Sequence, residues 1–259
     1  MGFALGPRAR SAQYRLVSFD TLNSTNAEAL TRLRAGERGP LWLATAHQTA
    51  GHGRRQRAWI SPPGNLACSV VETLTADHAG AATLGFAAGL ALETALRQVS
   101  GDAALFRLKW PNDVLANEAK LAGILIEAEA TPDSLAAVVG MGLNVVAAPE
   151  GTPYPATSLK ALGLVTDAET LFAALTDAWA EWFSIWDHGR GFEAIRTQWL
   201  ARAAGLGAAI QVRQGDRVID GTFETIDEAG RLVVSHGGGA TTVAAGDVYF
   251  GAAMSAGAA

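Results

Sequence analysis

Hydrophobic periodicity changes once along this chain, near residue 205, and that change limits the folds open to it. Upstream, apolar runs of period two alternate with runs of period 3.6, as strands and helices do when they pack in layers. Downstream, residues 208–250 are short alternating runs split by QGD, DEAG, GGG and AAGD. Turn signals at roughly 8–12-residue spacing predict a small antiparallel barrel. The expected organisation is an α/β domain over 1–205, a β domain over 206–250 and a flexible Ala/Gly-rich tail over 251–259. With about 150 residues per domain as a guide, 259 residues accommodate one large unit and one small one.

QYRLVSFD (13–20) alternates like a half-buried strand. A helix follows from Ser24-Thr25-Asn26, with Thr25 and Glu28 at capping-box spacing and Gly36 as its C-cap. LWLATAHQ (41–48) and LACSVVETL (66–74) read as strands, and 50–64, with three glycines and two prolines, reads as a loop between them. The longest helix spans Asp77 to Ser100, with Leu84, Ala88, Leu92, Ala95, Leu96 and Val99 on one face and Gly101 ending it. FRLKW (106–110) and KLAGILIEAEA (120–130) predict two strands joined by a turn through PNDVLANEA, and LAAVVGMGLNVV (135–146) a central strand. An ordered loop follows over 147–165, then helices over 167–187 and 190–203. The stripe of Trp179, Trp182 and Trp186 reads as core.

Twenty Lys+Arg against 25 Asp+Glu give a net charge of −5, which argues against coating nucleic acid by bulk charge. A 49% hydrophobic, 17% charged composition is globular, not disordered. The single Cys68 has no intramolecular disulfide partner and reads as a small core residue. MGFALGPRAR lacks the apolar core of a signal peptide, and the weakly polar run from Ala79 to Leu92 falls short of the about 20 apolar residues a bilayer needs. The expectation is a soluble, cytoplasmic protein that binds neither nucleic acid nor membrane.

Four segments carry candidate chemistry. Ser24-Thr25-Asn26 is an N-cap on the plain reading, and a helix start also presents free N–H groups and hydroxyls to a polar ligand. GHGRRQRAW (51–59) sets Arg54, Arg55 and Arg57 among glycines beside Trp59. It is either a solvated loop or a mobile lid whose guanidinium forks match phosphate oxygens. KWPNDVLANEAKLAGILIE (109–127) gathers Lys109, Asn112, Asp113, Lys120 and Glu127 around a Pro turn. If its two strands pair as a hairpin, Lys109 and Lys120 lie together and need an anion such as a triphosphate, beside which Asp113 helps hold Mg²⁺. GMGLN (140–144) lacks the third glycine and the downstream acid of a dinucleotide fingerprint. No P-loop, G-x-S-x-G elbow or metal-ligand cluster is present; His47 and His52 lack a third partner.

Taken together and in order, S-T-N, Q-T-x-G-x-G-R-x-x-R-x-W, K-W-P-N-D-V with K-L-A-G-I-L-x-E, and G-x-G-x-N-V resemble the biotin protein ligases over about residues 14–250, including Ala156-Thr157-Ser158-Leu159. The resemblance implies an α/β (α+β) fold with a mixed central sheet flanked by helices, and an SH3-like C-terminal barrel. It implies ATP-dependent activation of biotin as biotinyl-5′-AMP, then transfer to one lysine of a biotin carboxyl carrier protein or domain, with ATP, biotin and Mg²⁺ as the small molecules. It places biotin against Ser24, Thr25, Asn26, Gln48, Gly51, His52, Gly53, Arg54, Lys120, Gly123 and Gly142. The nucleotide falls to Arg54, Arg55, Arg57, Trp59, Lys109, Asn112, Lys120 and Asn144. Lys120, Arg54 and Asp113 form the implied catalytic set, with Asp113 on Mg²⁺ or on the acceptor lysine.

Two departures stand out. The family's lid reads G-R-G-R-x-G-R, whereas this chain has His52 for the first Arg and Gln56 for the third Gly, which bears on lid stiffness and on retention of the adenylate. S-T-N begins at residue 24, so the expectation is a monofunctional ligase, monomer or homodimer, without an N-terminal DNA-binding domain. The competing readings are a lipoate or octanoyl-type ligase, and a non-catalytic biotin sensor.

Overall fold

The computed structural model describes residues 2–251 except 76, 132, 133 and 153. The expected tail, beyond Gly251, lies outside the described residues. In chain order the first elements are α1 (Pro7–Ser11), β1 (Arg15–Phe19), α2 (Thr25–Arg34), β2 (Leu41–Thr45), β3 (Gln48–His52), β4 (Ala58–Ser61), β5 (Leu66–Leu74) and α3 (His78–Ser100). Next come β6 (Phe106–Lys109), β7 (Asp113–Ala116), β8 (Ala119–Thr131), β9 (Ser134–Leu143), α4 (Ala168–Trp186) and α5 (Phe192–Leu200). The chain ends with β10 (Ala209–Gln214), β11 (Arg217–Ile226), β12 (Leu232–His236), β13 (Gly239–Val243) and β14 (Asp247–Phe250).

Seven strands form the central sheet in the order β1-β2-β5-β9-β8-β7-β6. Only β1 and β2 run parallel, so the sheet is mixed as expected. β9 is its middle strand, and β5 and β9 are buried at nearly every position because helices cover both faces there. On one face, Ala29 and Leu33 of α2 pack on Leu41, Leu43, Val71, Ala136 and Val138. On the other, α3 and α4 bury Leu84, Leu92, Leu96, Trp179 and Trp186 against Trp42, Cys68 and Val70. The tryptophan stripe is core: Trp42 meets Phe172 and Trp179 edge-on at 5.5 and 6.1 Å. α3, long and apolar enough by composition to cross a membrane, spends that character inside the fold.

Local chemistry sets the helix ends. Ser24, not Thr25, caps α2, accepting from Ala27 N–H at 3.4 Å; Glu28 pairs with Arg32 at 2.7 Å instead of closing a capping box. Gly36, at φ +95°, closes the other end: its N–H bonds Leu33 O and Glu37 N–H bonds Arg32 O, the paired bonds of a Schellman turn. The short α1 is too brief to show a period in sequence. It is fixed from outside, by Gly6 N–H to Thr176 Oγ1 at 2.9 Å and Ala9 N–H to Asp177 Oδ1 at 3.0 Å.

Three expectations need correction. The 50–64 segment is not a loop: β3 and β4 pair as a hairpin over Gln48–Ser61. Strands 106–110 and 120–130 are not partners either. Val114, Leu115 and Ala116 are buried and form β7 between them, so β6 pairs β7 and β7 pairs β8. The β7–β8 turn places Asn117 and Glu118 at φ +47° and +64°, the two left-handed residues of a primed hairpin turn, but without the glycine that betrays such turns. Finally, among the described residues the C-terminal strands form one antiparallel sheet in the order β13-β12-β11-β10-β14, and the barrel does not close. β14 is four residues long, and its Tyr249 packs on Tyr154 at 5.1 Å instead of completing a ring of strands.

Candidate active site

The polar end of the site is built where α2 begins. Capping holds Ser24-Thr25-Asn26 over the sheet, and all three are buried, as are Gln48 at the start of β3 and Ser69 on β5. Thr25 N–H donates to Gln48 Oε1 at 2.8 Å. Ser69 Oγ lies 2.7 Å from Thr25 Oγ1 and 2.6 Å from Asn26 Oδ1, and Asn26 Nδ2 donates to Glu127 Oε2 at 2.8 Å. This chain of bonds locks donors and acceptors in place. The glycines of β9 make room for it: a methyl group on Gly140 would overlap Asn26 Oδ1, and one on Gly142 would overlap the Trp59 indole.

The β3–β4 hairpin covers this floor. Trp59 lies against Gly123 and Gly142, and Gly51 seats the hairpin against the Gln48 side chain. Arg54 turns into the cleft and donates to Asn112 Oδ1 at 3.3 Å. Burial pulls its guanidinium below the ordinary value, with Asp247 and Asp113 pulling back, and an arginine stays charged throughout. Arg55 and Arg57 instead reach Asp247 of β14, at 3.1 and 2.8 Å. His52 Nε2 stands 4.0 Å from Glu127 Oε2.

The cationic end comes from three adjacent strands. Lys109 of β6 pairs in register with Asp113 of β7, and Lys120 Nζ of β8 lies 2.6 Å from Asp113 Oδ1, a charge contact outside good hydrogen-bond angles. Asp113 thus stands between the two lysines that sequence reasoning placed side by side. Lys109 is 8% exposed and, among the described residues, has no carboxylate oxygen within 4.0 Å. Its ammonium instead sits 4.4 Å from the Tyr154 ring centre and 5.5 Å from that of Phe250. Burial lowers its pKa, Asp113 opposes this, and Lys120 adds to it. Asn112 Nδ2 donates to Ile124 O at 2.6 Å, which fixes the turn, and Asn144 Nδ2 donates to Thr157 O at 3.1 Å while its Oδ1 is buried without a partner.

One cleft of about 590 Å³ joins the two ends, a size suited to a small-molecule site. Two family models match this chain: the biotin/lipoate A/B protein ligase family over residues 17–144, and the biotin protein ligase C-terminal domain over 205–251. Biotin–[acetyl-CoA-carboxylase] ligase of Paracoccus denitrificans is 41% identical over 236 residues, covering 88% of this chain and 98% of that protein. This chain belongs to the biotin protein ligase family. The biotin protein ligase from Aquifex aeolicus, solved in complex with biotin and ATP, shares the fold at TM-score 0.76 and 24% identity, covering 92% of this chain and 99% of its own. The Leishmania major biotin protein ligase in complex with biotinyl-5-AMP aligns at TM-score 0.63 and 26% identity, over 90% and 98% of the two chains.

Against that family pattern, the cleft gathers every residue chosen from sequence except Gly51, Arg55 and Glu127. Gly51 lies behind the lining, in the hairpin ladder opposite Trp59, and Arg55 points to Asp247. Glu127 is not at the Pro111 turn but under Asn26. Sequence reasoning missed Ser69, whose hydroxyl is buried on β5, and Tyr154, Asp247 and Tyr249. The last two reach the cleft from the second sheet, and no local signal announces them.

Proposed function

We propose that this chain is an ATP-dependent ligase that joins biotin to ATP as biotinyl-5′-AMP, releasing pyrophosphate, and then transfers the biotinyl group to a lysine of a biotin carboxyl carrier domain. The observation that carries this reading is the two-ended cleft: a locked set of neutral donors and acceptors at one end, and Arg54, Lys109 and Lys120 at the other. A cyclic urea needs both donors and acceptors, which Ser24, Thr25, Asn26 and Gln48 offer. A carboxylate attacking an α-phosphorus meets like charge, which Arg54, Lys109 and Lys120 offset in a partly dehydrated site. The Leishmania major biotin protein ligase, solved in complex with biotinyl-5-AMP, supports the same ligand.

In the second step the acceptor amine attacks the carbonyl of the mixed anhydride, AMP leaves, and the amine proton must go to a base. Asp113, 16% exposed and facing the cleft, is placed to accept or direct it. Asp113 is the carboxylate that would hold Mg²⁺ here: it faces the cleft beside Lys120, and a hard cation drawing most of its ligands from phosphates and water needs one or two carboxylates. When bound it would neutralise phosphate charge. Closure of the hairpin excludes water, which would otherwise hydrolyse the anhydride.

Pyrophosphate release that depends on biotin, followed by label transfer from biotin to a carrier domain, tests the proposal. Label transfer from lipoate alone would overturn it in favour of the lipoate branch of the same family model. Tight biotin binding without pyrophosphate release would mark a sensor.

A further inference from the structure

Asp247 belongs to the second sheet, yet its carboxylate lines the cleft. Two guanidinium groups of the hairpin reach it: Arg57 through Nη2 at 2.8 Å and Nη1 at 3.4 Å, and Arg55 through Nη1 at 3.1 Å. The tip of the lid is therefore held by a residue about 190 positions away in the chain.

Two features make that hold consequential. First, β3 and β4 form a two-stranded sheet of their own, and a lone hairpin is marginally stable in water. Its base is tied down by Thr49 N–H to Leu22 O at 3.0 Å and Ala50 N–H to Asn23 O at 2.8 Å. The backbone bonds of its tip are internal, Gly53 N–H to Arg57 O and Arg57 N–H to Arg54 O. Second, Arg55 and Gln56 both adopt left-handed backbone, at φ +56° and +59°, a conformation costly for residues with a Cβ. A tip bent this way needs an external partner, and the bend aims Arg55 at Asp247.

We propose that Asp247 is a positioning residue. By gripping Arg55 and Arg57 it holds the hairpin over the cleft, keeps Arg54 on its Asn112 contact, and retains biotinyl-5′-AMP between the two steps. What is retained rests on the function proposed above; the grip itself does not. Isolated exposed ion pairs contribute little, but Asp247 is four-fifths covered and collects two arginines at once. Burial pushes its carboxyl up, yet Arg57, then Arg55 and Arg54, outweigh that and hold it below the usual carboxylate range.

Amide hydrogen exchange over residues 48–61 of the full, ligand-free chain tests the grip. Asp247→Asn is expected to speed exchange there about tenfold and to leave β9 unchanged. Asp247→Arg combined with Arg55→Asp and Arg57→Asp is expected to restore protection. Unchanged exchange in Asp247→Asn, or no recovery in the charge-swapped chain, overturns the latch. The same proteins, loaded with biotin and ATP and then chased, give the release rate of biotinyl-5′-AMP. An increase of about tenfold in Asp247→Asn supports the positioning role, and unchanged release overturns it. A wild-type chain that makes no biotinyl-5′-AMP overturns the function proposed above, and the retained intermediate with it, whereas the exchange result decides the latch in either case.

Discussion

Lys120 is held by one carboxylate, Asp113 at 2.6 Å, and keeps 29% of its side chain open to the cleft, so an incoming anion meets a cation already aimed and only partly neutralised. Lys120→Ala is expected to lower biotin-dependent pyrophosphate release by about 10²–10³-fold, as loss of one preorganised charge donor does, while circular dichroism shows the fold intact. Its motif, K-L-A-G, was readable in sequence. Its pairing with Asp113 was not, because it depends on β7. A second residue was invisible altogether. Glu72 is buried on β5, accepting from Tyr14 Oη at 2.7 Å and Trp179 Nε1 at 2.8 Å. Burial pushes its carboxyl up to about 7, against the pull of those two bonds. The folded chain then keeps a proton that the unfolded chain releases above its ordinary carboxylate value. The stability this contributes is full below pH 4.5 and is lost as pH rises to about 7, up to ~3 kcal/mol. Thermal midpoints of wild type and Glu72→Gln measured between pH 5 and 8 check this: the wild type alone should lose the increment. Nothing links Tyr14, Glu72 and Trp179 in sequence, since they meet only when α4 closes over the sheet.

Among the elements, those with long, regular periods were legible: α3, α4, α5, β5 and β9 stand where their apolar spacing placed them. The β3–β4 hairpin and β7 were not. Their turns use Arg55 and Gln56, and Asn117 and Glu118, at positive φ, where pattern reading looks for glycine. Gln56→Gly is therefore expected to relieve about 1 kcal/mol at the hairpin tip, read as slower amide exchange over residues 48–61. Gly142→Ala should act oppositely. A methyl group there overlaps the Trp59 indole and lifts the hairpin off β9, so the KM for biotin should rise at least about tenfold with little change in thermal midpoint. An unaltered KM would show that Trp59 is not seated by Gly142. His52 and Gln56 fall in the same element, and the structure gives each a local setting: His52 faces Glu127, and Gln56 occupies a left-handed position where the family motif carries glycine.

Across the whole molecule, the hydrophobic cluster runs unbroken from α4 and α3 through β7 to Ile210, Phe223 and Val248 of the second sheet. Trp110 Nε1 donates to Gly230 O at 3.1 Å, and Leu108 exchanges backbone bonds with Arg202 and Ala204, which covers the β6 edge. Calorimetry of the full chain should therefore show one cooperative transition; two separated transitions would mean that these contacts do not couple the sheets. By itself the sequence determined the alternation of helices and strands, the change of texture near 205 and the motif residues that line the cleft, because period, capping and short-range spacing are properties of neighbouring residues. Only the tertiary structure decided which strands are partners, that the second sheet stays open, that Asp113 separates the two lysines and that Asp247 reaches across to the lid. Those outcomes depend on contacts between residues far apart in the chain, whose geometry exists only once the sheet is assembled and its faces are covered.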